Sequence, residues 1–191
     1  PQRTSSAASD VYKRQVDATN TETITNTGGN VWTCTVVSHD SDADGTVSFS
    51  IVPTDAAGIA GAADESVDDS STMTHDDTVP TLSLVGITTD GTGNANNGDD
   101  VTLTFKGSET LGTPTCTMKD GAGATMDNTP AVSHAGSNVW NCVVSTADAD
   151  ADGAMTYSIA FADAAGNSGV AVTSGTGSVT IDNTHPTLGI V

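Results

Sequence analysis

Asn138-Val-Trp-Asn-Cys142, Asp148-Ala-Asp-Ala-Asp-Gly153, Tyr157-Ser-Ile159 and Asp163-Ala-Ala-Gly166 form an ordered set that the chain has already used once. The earlier copy reads Asn30-Val-Trp-Thr-Cys34, Asp40-Ser-Asp-Ala-Asp-Gly45, Phe49-Ser-Ile51 and Asp55-Ala-Ala-Gly58. Every pair is displaced by the same 108 positions, Trp32 to Trp140 and Gly45 to Gly153 alike, so no insertion separates them. The joining segment recurs at a shift of 106, Thr78-Val-Pro-Thr-Leu82 matching Thr184-His-Pro-Thr-Leu188. A period near a hundred residues is too long for a solenoid unit and suits a whole small domain. The chain reads as a window on a tandem array.

The repeat sets the expected domains. Residues 16–77 are the C-terminal part of one repeat, 78–183 a complete repeat, and 184–191 the first strand of the next. Residues 1–15 match neither copy. Their run Ser6-Ala-Ala-Ser-Asp-Val-Tyr-Lys-Arg-Gln15 resembles the translated sequencing adapter that heads many metagenomic reading frames, and it is set aside as non-native. The absence of an initial Met and the stop inside a motif lead us to expect a piece of a longer protein.

Within 80–183, short alternating runs are separated by Gly, Asn and Asp clusters, and helical periodicity is absent. The expected strands are Thr81–Thr88, Val101–Lys106, Thr115–Lys119, a weak one over Thr125–Val132, Val139–Ser145, Ala154–Ala162 and Ser178–Ile181, with Val170–Thr173 opening the last. Seven short strands with a turn signal every ten or so residues describe a β-sandwich. Val101, Leu103 and Phe105 line one inner face, Met155, Tyr157, Ile159 and Phe161 another, with Trp140 between the sheets. The run Gly93–Gly98 reads as a loop that buries nothing.

The formal net charge is −19. Three of the five basic residues (Arg3, Lys13, Arg14) lie in the first fifteen, so the rest sets Lys106 and Lys119 against every carboxylate except Asp10. Such a surface repels nucleic acid and anionic lipid and attracts divalent cations. No stretch approaches the roughly 18 apolar residues of a membrane helix. Neither nucleic acid nor direct membrane contact is expected.

Cys116 alternates with Met118, and Cys142 with Trp140 and Val144, which points both thiols at the core. A Cys116–Cys142 disulfide would add on the order of 3 kcal/mol and imply an oxidising compartment. The alternative is two buried thiols acting as small hydrophobes. Cys34 is the counterpart of Cys142, while the counterpart of Cys116 falls at position 8, so truncation accounts for the odd count.

Val101-Thr-Leu-Thr-Phe-Lys-Gly-Ser-Glu109, Trp140, Asp152-Gly153, Tyr157-Ser-Ile159, Asp163-Ala-Ala-Gly-Asn167 and Val179-Thr-Ile-Asp-Asn-Thr-His-Pro186 together resemble the bacterial immunoglobulin-like repeats that stand in tandem in very large surface adhesins. The resemblance implies seven-stranded, Greek-key Ig-like sandwiches, export to the cell surface, and non-catalytic spacer or adhesive modules, often loaded with calcium. Two positions depart from that pattern. The cysteine pair stands where aliphatic residues are usual, and Ile59 replaces the Asn that follows Asp-Ala-Ala-Gly in the second copy.

In such a sandwich the carboxylates gather at two poles. Asp90, Asp99 and Asp100 join Asp148, Asp150 and Asp152 beside the outgoing linker Asp182-Asn183. Glu109, Asp163 and Asn167 join the incoming linker Asp76-Asp77, to which the first copy brings Asp40, Asp42 and Asp44. Close carboxylates without Lys or Arg repel, and a hard cation with six to eight oxygen ligands relieves this. Calcium is therefore the expected cofactor. Asp-x-Asp-x-Asp-Gly opens like an EF-hand loop, but Ile51 and Ile159 stand where a bidentate Glu belongs, and strands replace the helices. A polar turn ending in a positive-φ Gly competes evenly with calcium there.

His39, His75, His134 and His185, scattered over loops and linkers, lack transition-metal spacing. No Gly-x-Ser-x-Gly elbow or phosphate-cradling loop occurs, and the exposed carboxylates lack the aromatic platform of a sugar cleft. Trp32 and Trp140 both occupy strand positions that suit a core. The leading expectation is a structural module whose partners are neighbouring repeats of the same chain. The alternatives are a module binding a host or matrix glycan or protein, and a spacer beside a secreted hydrolase.

Overall fold

A computed structural model describes residues 22–189 except Asn30, Ala56 and Thr92. The segment 1–15 and the counterpart of Cys116 at position 8 lie outside the described residues. The described chain is all-β, without helices, and divides into two compact units after Thr78.

In the first unit β1 (Thr23–Gly28) and β2 (Val31–Thr35) form an antiparallel hairpin, and β3 (Gly45–Thr46) pairs with β4 (Thr74–His75). Isolated bridges join Ile51 to Asp64 and Thr54 to Ala60. The second unit is built from β5 (Leu82–Thr89), β6 (Asn94–Ala95), β7 (Asp100–Gly107), β8 (Thr115–Lys119), β9 (Ala131–Gly136), β10 (Val139–Ser145), β11 (Gly153–Ala154), β12 (Thr156–Ala160) and β13 (Thr180–Ile181). Its largest sheet runs β5-β7-β10-β9; β12 pairs with β8, and β11-β13-β6 forms a third sheet.

Strict alternation puts β7 in the middle of the large sheet. Val101, Leu103 and Phe105 are all 0 % exposed, while Thr102, Thr104 and Lys106 are half-buried on the other face. Burying each large side chain contributes about 1.5–3 kcal/mol, so this strand alone anchors much of the core. Met118 and Cys116 of β8, Cys142 and Val144 of β10, Ile159 of β12 and Ile181 of β13 belong to the same core, as do Ile87, Leu111, Met126, Phe161 and Val179. Residues of separate sheets thus share one apolar interior, a sandwich-like arrangement. Ser137 and Asn138, both at positive φ (51° and 61°), make the two-residue turn between β9 and β10.

The disulfide is present. Cys116 and Cys142 are bonded with their Cα atoms 6.5 Å apart, tying β8 to β10 and so joining two sheets.

Several expectations are corrected. Gly93–Gly98 is not wholly loop: Asn94–Ala95 pairs in parallel with Thr180–Ile181, and Ala95 is 1 % exposed. Its methyl group is small enough to close the core edge where turn-forming neighbours suggested solvent. The weak strand expected over Thr125–Val132 moves to Ala131–Gly136, because the Ser137-Asn138 turn sets the pairing with β10. The strand expected over Ala154–Ala162 splits after Ala154, β11 pairing with β13 and β12 with β8. His134 stands in β9, its ring tilted at 49° against that of Trp140 with centroids 4.7 Å apart, and His75 stands in β4. Trp140 packs against the core, but Trp32 is 39 % exposed: none of the first unit's described residues supplies a counterpart of β7 or β8.

The repeat extends to individual hydrogen bonds. Ile51 N to Asp64 O corresponds to Ile159 N to Val172 O, and Val47 N to Met73 O corresponds to Met155 N to Val179 O. Between those two bonds the offset changes from 108 to 106, which places the two-residue length difference in the segments 64–73 and 172–179.

Candidate metal centre

At one pole of the second unit the chain enters beside the β7–β8 connection. The Thr81 amide donates to Ser108 Oγ at 3.0 Å, and the Ser108 amide to the Thr81 carbonyl at 2.9 Å. The loop after β12 closes on the same connection, since Leu111 bridges Asp163 and the Gly112 amide donates to the Ala162 carbonyl at 2.9 Å. Glu109 and Asp163 are thereby brought together, with carboxylate oxygens within 4.8 Å of each other.

Asp163 is only 5 % exposed and is held rigidly. Its Oδ1 accepts the amides of Gly166 (2.7 Å) and Asn167 (2.9 Å), and its Oδ2 accepts Asn167 Nδ2 at 2.9 Å. Burial pushes the carboxyl up. The bonds from the Asn167 side chain and amide and from the Gly166 and Ala165 amides outweigh it, and Asp163 lies below the usual carboxylate value. It is therefore a fixed anion at neutral pH. In the first copy Asp55 accepts the Ala57 and Ile59 amides, each at 2.9 Å, but Ile59 has no side-chain donor to add.

Two carboxylates this close, one ionised and buried, fit a hard divalent cation. Asp76 stands five positions ahead of Thr81 in the chain, on the segment leading to this pole. Asp77 lies with its Oδ2 3.1 Å from His75 Nε2.

The Asp-x-Asp-x-Asp-Gly loops have a different geometry. Asp42 and Asp150 are buried and turn inward: Asp42 accepts the His39 amide at 2.8 Å and Asp150 the Ala147 amide at 2.7 Å, each carboxylate reaching back three residues in a turn repeated at the 108 offset. Asp44 accepts the Asp77 amide at 2.8 Å and the Thr78 hydroxyl. Asp152 likewise accepts the Asn183 amide at 2.7 Å and the Thr184 hydroxyl. These bonds hold both carboxyls below their usual value, the threonine hydroxyl contributing most. Gly45 (φ 137°) and Gly153 (φ 133°) close the loops at positive φ. Asp40 and Asp148 are exposed. Among the described residues, neither loop gathers three carboxylates within 4.8 Å of one another.

At this second pole of the complete unit Asn183 also donates through Nδ2 to the carbonyls of Ala147 (3.0 Å) and Asp150 (3.1 Å), beside Asp182. Thr146 ties in the β5–β7 connection, its amide donating to the Asp99 carbonyl at 2.9 Å. The Asp100 carboxylate accepts the Ser145 hydroxyl, and the Asp90 amide donates to the Asp100 carbonyl at 3.3 Å.

Sequence reasoning missed Asp120. Its Oδ2 accepts the Ala151 amide at 3.0 Å and its Oδ1 the amides of Ala122 (3.0 Å) and Ala124 (2.8 Å), pinning the turn after β8 to the loop before β11. The signal was Asp120-Gly121 between alternating runs, which reads as a turn but does not name its distant partner.

No protein-family model, curated protein or solved structure matches the chain. Among the described residues no helix is long and apolar enough to cross a membrane.

Proposed function

We propose that the chain is a non-catalytic structural segment: tandem immunoglobulin-like, Greek-key sandwiches of a long exported bacterial surface protein, which project an adhesive or anchoring end and are stiffened by calcium at each junction. The observation that carries this reading is the repeated linker clamp. Asp44 holds Asp77 and Thr78, and Asp152 holds Asn183 and Thr184, by the same two bonds. Each copy thus fixes its own exit strand to its own pole. A unit made for a relay needs its exit strand held, whereas a solitary domain has no use for the same clamp twice.

In this reading calcium is held by Glu109 and Asp163, with Asn167 orienting the last, and Asp76 is the expected ligand from the linker. Asp182 is the counterpart of Asp76 at the 106 offset and would serve the next junction in the same way. Calcium supplies the positive charge that lets the carboxylates approach, and so it opposes bending at the linker. The inter-sheet disulfide supports export into an oxidising compartment.

Small-angle scattering of the full chain with calcium and with chelator tests the mechanical role. The reading expects a longer maximum dimension and a narrower distance distribution with calcium. Identical profiles would contradict it.

A further inference from the structure

The sheet β5-β7-β10-β9 of the complete unit turns one face to the core and the other away from it. On the outer face Thr102 stands between Thr88 and Val143, and Thr104 between Gly86 and Asn141. Thr104 Oγ1 donates to Asn141 Oδ1 at 2.9 Å, so these two side chains share that face. Ala131 and Ser133 of β9 continue the two rows. None of these residues is charged, in a chain of formal net charge −19. Copies of so acidic a chain repel where carboxylates meet, and the middle of this face brings none. Charge enters at its two ends. Asp100 is exposed and Lys106 half-buried, and both follow the outer alternation of Thr102 and Thr104. The Asp100 carboxylate accepts the hydroxyl of its cross-strand neighbour Ser145, and Asp90 lies beside it, its amide donating to the Asp100 carbonyl at 3.3 Å. One end of the face is thus acidic and the other basic, with Leu103 midway along β7 between them.

We infer that this face packs on the same face of a second copy of the chain, about a two-fold axis that crosses β7 at Leu103. Such a contact is self-complementary: β7 lies over β7 of the other copy in the opposite direction, and Lys106 of each copy meets Asp100 of the other. Stacked sheets lie about 10 Å apart, a gap that a lysine and an aspartate reaching from opposite sides close. The small uncharged side chains between the two ion pairs let the sheets approach. At the usual strand spacing and rise, the four strands over the stretch from Asp100 to Lys106 cover about 400 Å² per copy. A standard interface takes roughly 800 Å² per partner, so a single pair is weak, with a dissociation constant on the order of a millimolar. Repeats carried in tandem would add such contacts, each formed at the effective concentration set by the last.

Sedimentation equilibrium of the full chain tests this, run from about 10 μM to about 2 mM at physiological salt, which screens the net charge beyond about 8 Å. Chelator in the buffer keeps any calcium-bridged association out of the measurement. The weight-average mass should rise from the monomer value toward the dimer as concentration increases. Lys106→Asp should weaken association roughly tenfold, because it sets carboxylate against carboxylate at both ends of the contact, and Asp100→Lys should weaken it for the converse reason. The double variant Asp100→Lys/Lys106→Asp should restore association, since the swapped charges meet again, and Lys119→Asp on β8 should leave it unchanged. A monomer at every concentration would overturn the proposal. So would association that survives Lys106→Asp, is lost equally with Lys119→Asp, or is not restored by the double variant.

Discussion

Asp152 Oδ1 accepts the backbone amide of Asn183 at 2.7 Å, which locks the exit of the second unit to a loop 31 residues earlier. Asp44 and Asp77 stand in the same relation in the first unit, at 2.8 Å. Replacing Asp152 by Ala should lower the melting temperature modestly and raise amide exchange at Asn183 and Thr184 several-fold, leaving β7 and β10 protected. Exchange mass spectrometry on the variant reads this directly. Equal protection at Asn183 would show that the clamp is incidental.

Reduction of Cys116–Cys142 should be costly because the bond joins two sheets across the core. For a closed loop of this size the loss is about 3 kcal/mol. Urea unfolding of the oxidised chain and of the Cys116→Ala/Cys142→Ala variant should differ by that order. Matching midpoints would mean that the core alone sets the stability.

Acid should destabilise the chain through its oriented carboxylates. Asp44, Asp120, Asp152 and Asp163 all lie below the model-peptide value of 3.8 in the folded state. For a carboxyl depressed on folding, the contribution is full above the unfolded pKa and is lost as pH falls through the folded one. Melting temperatures in calcium-free buffer should therefore hold steady from about pH 7 to 5 and fall below about pH 4. A fall already complete by pH 5 would point to other groups.

Gly121 is a position where only glycine fits. A Cβ there would stand 2.2 Å from the Asp152 carbonyl oxygen, and this contact is with backbone that cannot swing aside. Gly121→Ala should destabilise the second unit by about 1–3 kcal/mol through overpacking, measurable by denaturant titration. An unchanged midpoint would show that the Asp120 turn is free to shift.

Much of this arrangement is legible in the residues because it is periodic. The alternation of Val101, Leu103 and Phe105 and of Cys116 and Met118 gives strand faces directly, and the facing of Cys116 and Cys142 follows from it. The bounds of β8 and β10 match the expected runs, since turn residues bracket both. Pairing between distant segments is less visible. Nothing in Asn94-Ala95 announces a parallel partner at Thr180–Ile181, and the split between β11 and β12 depends on which neighbour each half finds. The carboxylates show the same division. The local pattern of Asp148-Ala-Asp-Ala-Asp-Gly153 suggests either a turn or a cation loop. The distant threonine hydroxyl and linker amide that occupy Asp152 are visible only in three dimensions.

The most direct test of the account is a thermal melt of the full chain in calcium and in chelator, repeated with Glu109→Gln. A cation bound only by the folded state adds RT ln(1 + [L]/Kd), about 2.7 kcal/mol at a hundred times Kd. The account predicts a melting temperature that rises with calcium in the parent chain and a much smaller rise in the variant. Equal melting temperatures in calcium and chelator would contradict it.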